Sequence, residues 1–191
     1  MNQKSLLDVD WSKIPAPTDD GAAAHLVGLT IPPLSLVATD DTSVTLSALS
    51  GRTVVFGYPR TGEPGRISLV DDWDMIPGAR GCTPQTCAFR DLFAELKAAG
   101  AKHVFGLSTQ SNEYQTEMAS RLHLPFPILS DEQLALTHAL QLPTMDVAGL
   151  TMIKRLALIV DDARITHVFY PVFPPDRNAG DVLAWLKQNP V

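Results

Sequence analysis

The chain has 191 residues, of which 45% are hydrophobic and 19% charged. That supplies a packed core and argues against global disorder. Fifteen Lys and Arg against 21 Asp and Glu leave a formal charge of −6, so binding nucleic-acid phosphates is not its main business. No apolar run approaches the ~20 residues of a membrane helix. The opening MNQKSLLDVDW has early acids and no apolar stretch, so no secretory signal is expected.

Residues 1–27 read as an N-terminal extension and residues 28–191 as the main domain. Leu34–Ala38 and Val44–Leu46 flank the polar tip Thr39–Ser43, a hairpin pattern. Arg52–Tyr58 is β-branched and aromatic and stops at Pro59, as a buried central strand would. Pro59 to Gly81 is irregular, and so long a connection within a compact domain points to function or mobility. A helix follows, with Thr83 expected as N-cap and Pro84 at the first helical position. Phe89, Leu92, Phe93 and Leu96 form one apolar stripe, Lys97 sits in the last turn, and Gly100 suits the position after the cap.

Beyond it the patterns predict a strand at Lys102–Leu107, a helix at Asn112–Leu122, a short strand at Pro127–Leu129 and a helix at Glu132–Leu140. They continue with a strand at Lys154–Val160, a turn at Asp161–Asp162, a hairpin partner at Ile165–Tyr170 and a closing amphipathic helix at Ala179–Gln188. Strands alternating with helices define an α/β domain on a mixed sheet. Trp11 and Trp185 are expected at the edges of the core. The scattered histidines His25, His103, His123, His138 and His167 are expected to be structural or exposed.

Only two cysteines occur, Cys82 and Cys87. Two cannot staple a scaffold, and a reducing cytoplasm is the expected compartment. Their spacing is C-x4-C, with no second cysteine pair and no histidine within ten residues. That argues against a metal site, and the lack of C-x-x-C argues against thioredoxin-type exchange. Cys82 precedes the first helical turn, where unpaired N–H groups and the helix dipole favour an anion. Its thiol should therefore ionise more readily than that of free cysteine. Five residues along a helix rise about 7.5 Å and turn ~140°, placing the two Cα atoms roughly 8–9 Å apart. A disulfide needs them within about 7 Å, so one can form here only if the first turns unwind. Cys87 taken alone reads equally as a buried core filler.

The stretch Gly81-Cys82-Thr83-Pro84 through Cys87 to Phe89-Arg90-Asp91 resembles the signature of the peroxiredoxins, in particular the bacterioferritin-comigratory or Q type. Ile31–Leu36 and Val44–Arg52 resemble that family's opening hairpin, and Val54–Pro59 the strand before its active-site loop. Ile153-Lys154-Arg155 is similar to the site that supplies its arginine. The resemblance spans residues 28–191 outside the loops. It implies a thioredoxin-like fold, a central mixed sheet flanked by helices with an N-terminal hairpin extension.

It also implies a thiol-dependent peroxidase that needs no cofactor or metal. Cys82 would attack a hydroperoxide and become a sulfenic acid, and Cys87 would condense with it to an intramolecular disulfide. A thioredoxin-like or other thiol reductant would restore both. Arg155 would favour the Cys82 thiolate and hydrogen-bond the peroxide; on sequence alone it also reads as a surface arginine at a strand start. A monomer and a homodimer are both compatible.

The family pattern is Pro-x-x-x-Thr-x-x-Cys, but here Ala79 stands three before Cys82. An insertion at about residues 62–76 separates the strand-ending Pro59 from the cysteine. Thr61 or Thr83 would supply the missing hydroxyl, and Thr61 is favoured because it closely follows Tyr58-Pro59. The insertion carries Trp73, Met75 and Ile76, and reads either as a self-packed surface loop or as a lid. The rival reading is a redox-responsive binding protein, oxidised stoichiometrically at the same cysteines.

Overall fold

The computed structural model describes residues 9–191, so the first eight residues of the expected extension lie outside the described residues. The centre is a seven-stranded mixed sheet. Its strands are β1 (Ser35–Ala38), β2 (Ser43–Thr45), β3 (Arg52–Gly57), β4 (His103–Ser108), β5 (Ile128–Ser130), β8 (Leu156–Asp161) and β9 (Arg164–Phe169), ordered β2-β1-β5-β4-β3-β8-β9. β3 pairs parallel with β4 and antiparallel with β8. Every residue of β3 is buried, as its apolar run predicts for a central strand.

Alternation along β3 divides the core. Val55 joins one cluster with Leu107, Leu129 and Leu158, covered by Leu26, Ile31 and the helix α4 (Ala135–Leu140). Val54 and Phe56 face the other way. There they meet α1 (Cys82–Asp91), α2 (Phe93–Ala98), α3 (Asn112–Arg121) and α5 (Asn178–Gln188). Phe56 stacks on Phe89 of α1 with centroids 4.1 Å apart and takes the edge of Phe126 at 5.6 Å. At Gly106 of β4 an added Cβ would sit 2.4 Å from Ile128 and 3.1 Å from the Phe56 ring, so only glycine fits beside this aromatic anchor.

Several expected boundaries shift. The helix that carries both cysteines begins at Cys82, and its N-cap is Gly81 rather than Thr83. Gly81 has φ +106°, a left-handed conformation that glycine adopts without strain, and no side chain caps the helix. The single helix expected to run to Lys97 breaks at Leu92 into α1 and α2. Gly100 does follow the α2 cap with positive φ. The helix expected from Glu132 starts at Ala135. Lys154 and Arg155 precede β8 rather than belonging to it, because a second two-stranded sheet intervenes. That sheet, β6 (Thr144–Val147) with β7 (Leu150–Ile153), turns through Ala148 and Gly149, both at positive φ. Ala-Gly lacks the Asn-Gly or Asp-Gly mark of such turns, so the pattern did not announce it.

Candidate active site

Three elements converge on Cys82. The first is the turn Gly78–Gly81, which delivers the sulfur to the first residue of α1. Gly81 is required there, since an added Cβ would lie 2.5 Å from Pro175 and 2.7 Å from the Trp11 ring. The second is the link between β7 and β8, which carries Arg155. The third is the segment after β3, which brings Thr61 to the far side of the opening.

Cys82 and Cys87 are both free thiols and both buried. The Cys82 Sγ donates to the Ala79 carbonyl at 3.6 Å, and Arg155 Nη2 lies 3.2 Å from the same sulfur. Arg155 is 2% exposed. Its Nη2 also faces the carbonyls of Gly78, Ala79 and Arg80 at 3.1–3.3 Å, and its Nη1 donates to Gln85 Oε1. Gln85 Nε2 in turn donates to Asn178 Oδ1 at 2.9 Å, which fixes the orientation of the amide. Among the described residues no carboxylate pairs with Arg155, and its Nε has no partner. A buried cation without a counter-charge is expensive. Among the described residues the one acidic group within hydrogen-bond reach is the Cys82 thiol.

Cys87 lies in the same helix but in different surroundings. Burial pushes its thiol up from the ordinary value, with Arg90 partly opposing the effect. It is therefore held protonated while α1 is intact. Tyr58, wholly buried beside Cys82, is pushed well above the usual phenol range by burial and, secondarily, by that sulfur. It stays a phenol and donates to Gln115 Oε1 at 3.0 Å.

A cavity of about 410 Å³ opens at Cys82, lined by Thr61, Thr83, Pro84 and Tyr114, by Arg60, Arg66 and Arg80, and by Ile67, Leu69 and Trp73. The structure thus brings Cys82, Thr61 and Thr83 to one opening, with Arg155 reaching the sulfur from the protein side. Thr61 is 1% exposed, and its hydroxyl is already directed to Gln110 Oε1 at 3.2 Å. The Thr83 hydroxyl has no hydrogen bond among the described residues. Pro59 lines a neighbouring cavity instead, and its carbonyl accepts from Ser108 Oγ. The insertion contributes in two ways. Trp73 and Ile76 pack with Val147 and Met152 of the β6–β7 hairpin, while Ile67 and Leu69 wall the cavity and Met75 is exposed.

Sequence reasoning missed Gln85 and Asn178. Gln85 stands three residues after Cys82, on the first turn of α1, and that spacing was the available signal. Asn178 lies 93 residues further on and gives no local sign of its partner.

A sheet of this topology, with a thiol at a helix start against a buried arginine, defines a thiol-based redox enzyme on a thioredoxin-like fold. The family model described as Redoxin matches residues 26–183. The chain is 32% identical over 162 residues to the chloroplastic peroxiredoxin Q of Sedum lineare, covering 84% of this chain and 77% of that protein. It is 32% identical over 163 residues to the peroxiredoxin Bcp of Escherichia coli strain K12, covering 83% and 93%. Among solved structures, the peroxidoxin BcpB of Mycobacterium tuberculosis superposes with a TM-score of 0.69 at 27% identity, covering 86% of this chain and 98% of that one. The chain belongs to the Redoxin family, as a peroxiredoxin of the Q or Bcp type, and is a thiol peroxidase. These likenesses favour the enzyme over the stoichiometric sensor.

Proposed function

We propose that Cys82 is the peroxidatic cysteine and Cys87 the resolving one. The Cys82 thiolate attacks the terminal oxygen of a hydroperoxide. The O–O bond breaks, the departing oxygen takes a proton and leaves as water or an alcohol, and Cys82 becomes a sulfenic acid. The Cys87 sulfur then displaces the hydroxyl as water, and the Cys82–Cys87 disulfide forms. A dithiol reductant, thioredoxin-like in chemistry, supplies two electrons and two protons to restore both thiols.

Arg155 has two tasks in this reading. Its guanidinium balances the thiolate where no described carboxylate is in contact, and it donates to the oxygen on which charge develops once the peroxide is bound. Gln85 and Asn178 act through Arg155 and are positioning residues. Thr83, whose hydroxyl is uncommitted at the cavity, is a better candidate than Thr61 to orient the peroxide. Thr61 forms part of the wall, held by Gln110, while Pro59 stands at the neighbouring cavity and its carbonyl accepts from Ser108. Two free thiols suit a reducing cytoplasm. No described helix is long and apolar enough to cross a membrane.

The observation that carries this reading is the 3.2 Å approach of a buried, carboxylate-free guanidinium to the Cys82 sulfur. The test is Cys82→Ser. It should abolish thiol-dependent peroxide consumption in a coupled assay, and retained turnover would remove Cys82 from the chemistry.

A further inference from the structure

The described part of the N-terminal arm, residues 9–25, lies outside the Redoxin match, which starts at residue 26. It nevertheless runs across the turn that presents Cys82. The ring of Trp11 lies against Gly81, the residue before the cysteine. Trp11 Nε1 donates to Asp176 Oδ2 at 2.9 Å, and the ring meets Phe173 edge-on at 6.0 Å. Pro17 packs beside Gly78, at the other end of the same turn. Asp20 accepts from Lys154 Nζ at 2.6 Å and from Tyr170 at 2.7 Å. Lys154 adjoins Arg155, whose Nη2 is cradled by the carbonyls of this same turn.

The arm therefore grips the site at both ends: at Gly81 and the segment leading into α5, and at the residue beside Arg155. Two of these contacts, Trp11 with Gly81 and Pro17 with Gly78, are made to the turn that leads into α1, and the bonds to Asp176, Lys154 and Tyr170 hold the arm in place over it. The Cys82–Cys87 disulfide, in contrast, needs the first turns of α1 to open. A contact made in only one of two states biases the equilibrium towards that state.

We propose that the arm is a clamp on the Gly78–Cys82 turn, with Trp11 and Asp20 as its positioning residues. It holds the reduced, peroxide-reactive geometry and slows the opening that lets Cys87 reach Cys82. This rests on the assignment of Cys87 as the resolving residue. While the clamp is closed, the sulfenic acid is exposed to a second hydroperoxide. That molecule would oxidise it to the sulfinic acid and leave as water or an alcohol, in competition with disulfide formation.

The test is amide hydrogen exchange on the reduced, 191-residue Trp11→Ala chain. No peroxide is involved in this readout. The amides of Gln85–Ala88 should exchange about tenfold faster than in the wild type, because the closed state has lost a contact that the open state never had. Those of β3 and α3 should not change. Trp11→Phe keeps an aromatic ring but loses the bond to Asp176 and the outer edge of the indole that meets Gly81, and should give a smaller, about threefold effect; it serves if the alanine variant does not fold. Asp20→Asn should act in the same direction.

In a second readout, each variant is given a pulse of excess hydroperoxide. The variants should yield more Cys82–Cys87 disulfide and less sulfinic acid than the wild type. Unchanged exchange at residues 85–88, or a rise spread equally over the whole chain, would overturn the clamp. Faster local exchange with no disulfide under any oxidant would support the clamp and overturn the role of Cys87 instead.

Discussion

The two cysteines sit five residues apart on one short helix, and almost nothing else about their surroundings is shared. Cys82 occupies the first turn, where backbone N–H groups are unspent, beside a buried guanidinium that no carboxylate neutralises among the described residues. Cys87 is embedded in the body of the helix, and burial keeps its proton on. In the proposed mechanism a single helix separates two oxidation steps: the first needs α1 formed and the second needs it opened.

The sharpest way to break this comparison is to remove the second sulfur. Cys87→Ser should consume about one equivalent of hydroperoxide and then stall with a thioredoxin-type reductant, because the sulfenic acid has no internal partner. Undiminished steady-state turnover would show that the two sulfurs do not act in sequence. Arg155→Met removes the cation and the donor together. The second-order rate of Cys82 oxidation should fall by about 10²–10³, as when a preorganised donor is lost. Stopped-flow measurement under single-turnover conditions checks this, and a change below about threefold would show that the guanidinium is structural.

Phe89→Ala tests the fixed end of the helix. The stacked Phe56–Phe89 pair lies in the core, and truncation should cost about 3–5 kcal/mol in urea unfolding. A loss near zero would mean that α1 is not anchored there. The smallest effect concerns pH. Because burial raises the Cys87 value in the folded state, its stabilising contribution is intact below the unfolded thiol value. It is lost as pH climbs through the folded value. The wild type should lose stability on going alkaline more steeply than Cys87→Ala, and equal slopes would contradict a protonated, buried Cys87.

Much of this was legible in the chain. The run RTVVFGY could hardly be anything but a central strand, and the Phe89–Leu96 stripe placed the helix that carries both sulfurs. Local chemistry sufficed because each signal lay within a dozen residues. What escaped has a common cause, namely pairing over long distance. The start of α1 depends on Gly81 fitting between Trp11 and Pro175. The commitment of Thr61 depends on Gln110. Asn178 becomes part of the site only when α5 packs on α1 and meets Gln85. Neither periodicity nor spacing carries such partners. The β6–β7 hairpin was missed for a different reason: its Ala-Gly turn adopts positive φ without the residues that usually advertise it.

The most direct test of the account is a peptide map of the reduced wild-type protein after one equivalent of hydroperoxide. The account predicts an intramolecular Cys82–Cys87 disulfide, seen as one linked peptide lacking two hydrogens, and no free thiol. Two intact thiols, or oxidation confined to Cys87 with Cys82 untouched, would contradict it.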